Sequence, residues 1–158
     1  MGELVIIRHG QTEWSRSGQH TSVTDLPLLP EGEDQARNLA KTLAGRAFVE
    51  VWVSPRQRAR RTAELAGLTP TAIDDDLVEV DYGGYEGRTT VEIRAELGRP
   101  WTLWDDGTVP GATPGETMAA VAVRVDRVLG RVKERLPDGD VALVAHGHVL
   151  RVLTARWL

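Results

Sequence analysis

Leu4-Val5-Ile6-Ile7-Arg8-His9-Gly10 decides the architecture of this chain. An uninterrupted aliphatic, β-branched run predicts a strand covered on both faces, as in a largely parallel sheet, although so short a run also fits a helix segment. Arg8 and His9 stand where that strand must end. A guanidinium beside an imidazole opposes metals and attracts anions, which points to an imidazole nucleophile facing a phosphate.

Outward from this stretch, the pattern changes to helical spacing. Ala36, Leu39, Ala40, Leu43 and Ala44 follow Pro30 as an apolar stripe, and Gly45 closes the segment as a C-terminal cap. Val49-Glu50-Val51-Trp52-Val53 reads as a second strand. Ser54-Pro55 then predicts an N-cap with proline at the first helical position, opening a helix to about Ala66. Between residues 69 and 114, Gly83, Gly84, Gly87, Gly98, Pro100, Gly107, Pro110 and Gly111 break every pattern, so a loop-rich lobe with one short helix from Thr90 to Leu97 is expected. Met118, Val121, Val125, Val128, Val132 and Leu136 mark a long helix, weakened at Gly130 and ended by the turn Pro137-Asp138-Gly139-Asp140. Val141 to Ala145 is a third buried strand, followed by His146-Gly147-His148 and a last apolar segment.

Alternating strands and helices predict a single α/β domain over residues 1–158. The expected form is a three-layer sandwich, with a mostly parallel central sheet, helices on both faces and the loop-rich lobe over the active site. Ligands bind beyond the carboxyl ends of strands in such sheets. Arg8-His9, Ser54 with the arginines behind it, and His146-Gly147-His148 are therefore expected to converge at one edge.

The chain has 158 residues, 41% hydrophobic and 27% charged, the balance of one ordinary domain with a core. Its net charge of −4 gives no field for nucleic acid or an anionic membrane surface. The absence of cysteine excludes disulfides, thiolate catalysis and thiolate zinc sites. No apolar stretch approaches a membrane span, and the run before Arg8 is too short for a signal-peptide core. A cytoplasmic protein without nucleic-acid or membrane partners is expected.

Phosphoryl transfer needs a nucleophile in line with the leaving oxygen and fixed positive charge around the other three. His9 suits the first role. Arg8, one of Arg56, Arg58, Arg60 and Arg61, and His146 suit the second, since a guanidinium fork forms paired bonds to phosphate oxygens. A carboxylic acid must protonate the leaving alkoxide and later activate water. His146 and His148 also have metal-ligand spacing, but neighbouring arginines oppose a divalent cation, so neither metal nor cofactor is expected.

Arg8-His9-Gly10-Gln11-Thr12-Glu13-Trp14 resembles the signature of the histidine phosphatases, which include phosphoglycerate mutases and fructose-2,6-bisphosphatases. Ser54-Pro55-Arg56-Gln57-Arg58-Ala59, Leu77-Val78-Glu79 with Tyr82-Gly83 and Glu86-Gly87, Gly115-Glu116-Thr117, and Ala145-His146-Gly147-His148 resemble the remaining blocks, in order. The resemblance implies a phosphohistidine at His9, phosphate ligands at Arg8 and Arg58, proton transfer by Glu79, and a second pocket histidine at His146. It also implies further substrate contacts from Gln11, Ser15, Thr21, Ser22, Tyr82, Gly147 and His148, with Glu86 supporting its loop. Asp74-Asp75-Asp76-Leu77, Tyr85-Glu86-Gly87 and Pro100-Trp101 are similar to a phosphatase branch containing sedoheptulose-1,7-bisphosphatase. The span from Glu79 to Gly115 is shorter than in the mutases, which favours water over phosphoryl return. A small phosphorylated metabolite, a sugar phosphate or bisphosphate, is the implied substrate. A phosphate-ligand sensor is the rival in another class.

Three features depart from the pattern. Ser22 stands where relatives usually carry glycine, His20 where arginine or tyrosine is common, and relatives continue past the position of Leu158. An uncovered sheet edge is then expected, to be covered by a second copy in a homodimer or by chain beyond residue 158. Arg56, Arg60 and Arg61 are expected on a solvated helix face, Tyr82, Tyr85, Trp101 and Trp104 in packing, and Asp74 to Asp76 in a solvated turn.

Overall fold

The computed structural model describes residues 2–108 and 114–158, and the predicted breakers Pro110 and Gly111 lie outside them. Four strands, β1 (Leu4–Arg8), β2 (Phe48–Val53), β3 (Ala72–Ile73) and β4 (Asp140–Ala145), pair in the order β1-β4-β2-β3. Every pairing is parallel. The helices are α1 (Glu13–Ser17), α2 (Pro30–Leu43), α3 (Gln57–Leu65), α4 (Thr90–Leu97), α5 (Leu103–Asp106), α6 (Met118–Arg135) and α7 (Gly147–Trp157).

Central β4 shows why its sequence lacks polar alternation. Val141, Leu143 and Ala145 pack into one layer with Val121, Val125 and Val128 of α6 and Val149 and Leu153 of α7. Ala142 and Val144 face the opposite layer, against Ile7, Val51, Val53 and the α3 alanines Ala59 and Ala63, with Leu39 and Leu43 of α2 packed alongside. Two faces buried at once demand apolar residues at every position. Each large side chain so buried contributes roughly 1.5–3 kcal/mol. The expected three-layer α/β sandwich is the observed one.

Local differences from the sequence expectations have physical causes. The helix expected from Pro55 begins at Gln57 with Arg56 as N-cap, and no side chain caps it. Ser54 is drawn instead into the site by His146, 2.7 Å away. Helix α1 went unseen because it buries no residue and so carries no apolar stripe. A capping box between Thr12 and Ser15 forms it, and Gly18 at φ +82° ends it. The two residues of β3 are too few to show periodicity.

The lobe between β3 and α6 is less irregular than its glycines suggest. Thr89 and Glu92 form a capping box at the start of α4. Tyr82, Tyr85, Ile93, Trp101 and Leu103 join the same core layer as α6, while Trp104 is exposed. Asp74 and Asp76 are held by Arg131 and Arg127 of α6, which anchors the expected solvated turn to a helix. No helix among the described residues is long and apolar enough to cross a membrane.

Candidate active site

The expected convergence is present. β1 and β2 flank β4, with Arg8 opposite Ala145 and Val53 opposite Val144. The ladder continues one step past the strands: His9 N–H donates to Ala145 O at 3.1 Å and Ser54 N–H to Val144 O at 2.9 Å. Three strand ends are thereby locked side by side.

The His9 loop is pinned from below. Gly10 N–H donates to the buried Thr62 Oγ1 at 3.0 Å, and that hydroxyl donates to Arg58 O at 2.7 Å. Gly10 also crosses the first turn of α2 so closely that a Cβ on it would lie 2.3 Å from Gly32 O. Only glycine permits this approach. His9 Nδ1 lies 2.7 Å from Gly10 O, an oxygen that can only accept, so Nδ1 carries the proton and Nε2 the lone pair. Burial, opposed by that hydrogen bond and reinforced by Arg58 and Arg8, lowers the His9 pKa to about 4. The ring is neutral at ordinary pH. Among the described residues Nε2 has no hydrogen-bond partner, and it is not sealed from solvent.

Arg58 and His146 lie buried behind His9. The Arg58 terminal nitrogens donate to Thr24 O at 2.9 Å, Ser22 O at 3.1 Å and Thr21 O at 3.3 Å, which ties the 21–24 segment to α3. Its Nε is buried without a partner. The His146 ring centroid lies 5.1 Å from that of His9, with Nε2 bonded to Ser54 Oγ and Nδ1 buried without a partner. Native structures seldom bury unpaired polar atoms, so two beside one histidine mark an anion-ready locus.

Glu79 is buried and accepts three main-chain hydrogen bonds, from Val80 and Val149 at 2.9 and 2.8 Å on Oε1 and from His148 at 2.9 Å on Oε2. Burial outweighs these bonds and the Arg58 charge, and raises the Glu79 pKa. Such a carboxyl holds its proton more readily than an exposed one. Glu86 performs the expected loop support, accepting from the N–H groups of Ser22 and Thr24. Ser22, where glycine was expected, donates its hydroxyl to Glu79 O at 3.1 Å and so ties two walls together.

Of the residues singled out from sequence, Arg8, His9, Ser15, Thr21, Glu79, Tyr82, Gly147 and His148 line one cavity of about 230 Å³. Gln11, Ser22, Arg58 and His146 do not line it: Arg58 and His146 are fully buried, and Gln11 pairs its main chain with Gln35 and Leu29 beside α2. His20, Gln19, Thr90 and Arg151 also line the cavity. Arg151 was missed, although its position one helical turn after His148 was the available signal. Ser54 and Thr62 were missed as positioning groups, because a hydroxyl carries no periodic signature. His146 and His148 turn to different partners, Ser54 and Tyr82, and no group of acids and histidines among the described residues is arranged to hold a metal.

A parallel α/β sheet with a buried histidine, arginine and carboxyl at its strand ends defines an anion-handling enzyme-like site. Residues 4–158 match the model of the histidine phosphatase superfamily (branch 1), and the chain belongs to that family. It is 38% identical to sedoheptulose 1,7-bisphosphatase of Saccharomyces cerevisiae over 97% of this chain and 66% of that protein. An acid phosphatase of Mycobacterium tuberculosis is 40% identical over 98% of this chain and 75% of that one. A 2,3-bisphosphoglycerate-dependent phosphoglycerate mutase of Azorhizobium caulinodans also matches. The solved structure of an open reading frame from Mycobacterium tuberculosis superposes with a TM-score of 0.91 at 37% identity, covering 99% of this chain and 79% of that one.

Proposed function

We propose that this protein is a phosphomonoesterase that hydrolyses small phosphorylated metabolites of the cytoplasm through a phosphohistidine on His9. The observation that carries the reading is the His9 tautomer: Nδ1 is committed to Gly10 O, and the unpaired Nε2 opens on the cavity that Arg8 and Glu79 share. In the first half-reaction Nε2 attacks phosphorus, the bond to the ester oxygen breaks, and the Glu79 carboxyl gives its proton to the departing alkoxide. In the second, water attacks the phosphohistidine, Glu79 takes a proton from that water, and inorganic phosphate leaves. Arg8, Arg58 Nε and His146 Nδ1 supply the positive and donor groups for the phosphoryl oxygens, so no metal is needed.

The short span between Glu79 and Gly115 favours water as the acceptor over return of the phosphoryl group to a substrate. A chromogenic phosphate ester tests the reading. Turnover that survives exhaustive chelation and is lost in His9→Ala is expected. Binding of phosphate esters without any turnover would establish a sensor instead, and phosphoglycerate isomers formed in excess of inorganic phosphate would establish a mutase.

A further inference from the structure

Glu79 stores the proton of the proposed reaction, yet its carboxyl is wrapped in main-chain donors. Oε1 accepts from Val80 and Val149, and Oε2 accepts from His148. A carboxyl offers about four lone-pair positions, two on each oxygen, so one position on Oε2 is left for the acidic proton. The Tyr82 phenol is hydrogen-bonded to the Glu79 side chain. With Oε1 filled, that bond falls on Oε2. On its other side Tyr82 Oη lies 2.5 Å from His148 Nδ1. His148 Nε2 has no hydrogen-bond partner among the described residues and is not sealed from solvent, and the ring lines the same cavity as His9. A continuous row therefore runs from the buried carboxyl through the phenol and the imidazole to the cavity.

The row has two self-consistent hydrogen-bond directions. With Glu79 protonated, its O–H donates to Tyr82 Oη, the phenol donates to His148 Nδ1, and Nε2 carries the imidazole proton. With Glu79 ionised, Nδ1–H donates to Tyr82 Oη, the phenol donates to the carboxylate, and Nε2 presents a lone pair. Burial lowers the His148 pKa to about 4 and pushes the Tyr82 phenol well above its ordinary value. Both groups therefore stay neutral, and a proton crosses each only when one enters as another leaves.

We propose that Tyr82 and His148 form a proton relay through which Glu79 serves the reacting oxygen, with His148 Nε2 as the atom that meets it. In the first half-reaction the departing alkoxide takes the Nε2 proton, Nδ1 takes the Tyr82 proton, and Tyr82 takes the Glu79 proton. In the second, Nε2 takes a proton from the attacking water and each transfer runs in reverse, which returns Glu79 to its protonated state. The row is held in place by packing. His20 lies edge-on against Tyr82 and Trp104 edge-on against His148, with centroids 4.8 and 5.3 Å apart. A Cβ on Gly147, the residue before His148, would lie 3.4 Å from Arg8 Nε, so the start of α7 sits against the Arg8 guanidinium.

This inference rests on the phosphomonoesterase reading and specifies the path of its proton. The test compares kcat/KM for propyl phosphate, whose alkoxide needs a proton to leave, with that for 4-nitrophenyl phosphate, whose phenolate leaves without one. Tyr82→Phe keeps the ring and interrupts the row. His148→Gln keeps a polar side chain that cannot take a proton at one end and release another at the other. Each should reduce kcat/KM for propyl phosphate roughly a hundredfold more than for the nitrophenyl ester, as Glu79→Gln should. Equal losses on the two esters would overturn the relay and leave Tyr82 and His148 a structural role. Selective loss in Glu79→Gln alone would overturn it in favour of direct transfer. The unaltered protein supplies a check free of substitutions: in mixtures of light and heavy water, kcat/KM for propyl phosphate should fall along a curve, because several protons move together. A straight line, the mark of a single proton, would overturn the relay. No phosphate release from either ester by the unaltered protein would overturn the phosphomonoesterase reading as well.

Discussion

Ser54 Oγ lies 2.7 Å from His146 Nε2, and both residues are sealed from solvent. The contact joins the end of β2 to the end of β4 across the bottom of the site. If the Ser54 hydroxyl donates, His146 Nδ1 carries a proton and the unpaired buried atom becomes a donor ready for an anion. Ser54→Ala should therefore lower kcat/KM about tenfold, with a stability loss of about 1–3 kcal/mol from the unpaired ring nitrogen. Steady-state kinetics and denaturant unfolding check the two effects separately.

The His9 loop depends on a hydroxyl from another element. Thr62→Val keeps the shape of the side chain but removes the acceptor for Gly10 N–H. A buried main-chain donor left unpaired costs about 1–3 kcal/mol, equivalent to a fall of roughly 3–10 °C in Tm for a chain of this size. Differential scanning calorimetry would measure it, and a Tm within a degree of the unaltered protein would reject the proposed pin.

Two glycines in helices should respond to alanine in opposite directions. A Cβ on Gly32 would lie 2.2 Å from Gln11 O, so Gly32→Ala must push the signature loop off α2 and is expected to cost about 1–3 kcal/mol and activity with it. Gly130 lies within α6 with open space around its would-be Cβ. Gly130→Ala should stabilise the protein by roughly 0.5–1 kcal/mol and leave turnover unchanged. Unfolding curves of both variants provide the comparison.

Acid should titrate His9 late. The His9 value is depressed from 6.5 to about 4, chiefly by burial. Below 6.5 the unfolded chain binds protons that the folded ring refuses, so this contribution to stability is full above 6.5 and is lost as pH falls through about 4. His148 acts in the same direction. An NMR titration of the His9 ring should show a midpoint near 4, and the acid loss of stability between these values should shrink in His9→Asn. A midpoint at 6.5 would mean that the ring is not buried as described.

Much of this was legible in the chain itself. The unbroken apolar runs at Leu4 to Ile7 and Val141 to Ala145 specify a sheet buried on both faces, because burial side is written into residue type at a fixed period. With the strand ends placed, Arg8, His9 and His146 had to gather at one edge, and the ordered blocks singled out Arg58 from its neighbouring arginines and Glu79 from the acids of its segment. Ser54 misled for a local reason: Ser-Pro reads as a helix start, and no local pattern reveals a histidine 92 residues away that bonds the same hydroxyl.

Only the tertiary structure decided the rest. The crossing of Gly10 over Gly32, the pin from Thr62, and the occupation of the Arg58 terminal nitrogens by the 21–24 carbonyls each depend on a partner remote in sequence. Sequence determines which residues face a core through short-range periodicity. Hydrogen-bond direction and backbone approach have no such period: they are set when distant segments meet, and they fix which atom of each histidine is left free to act.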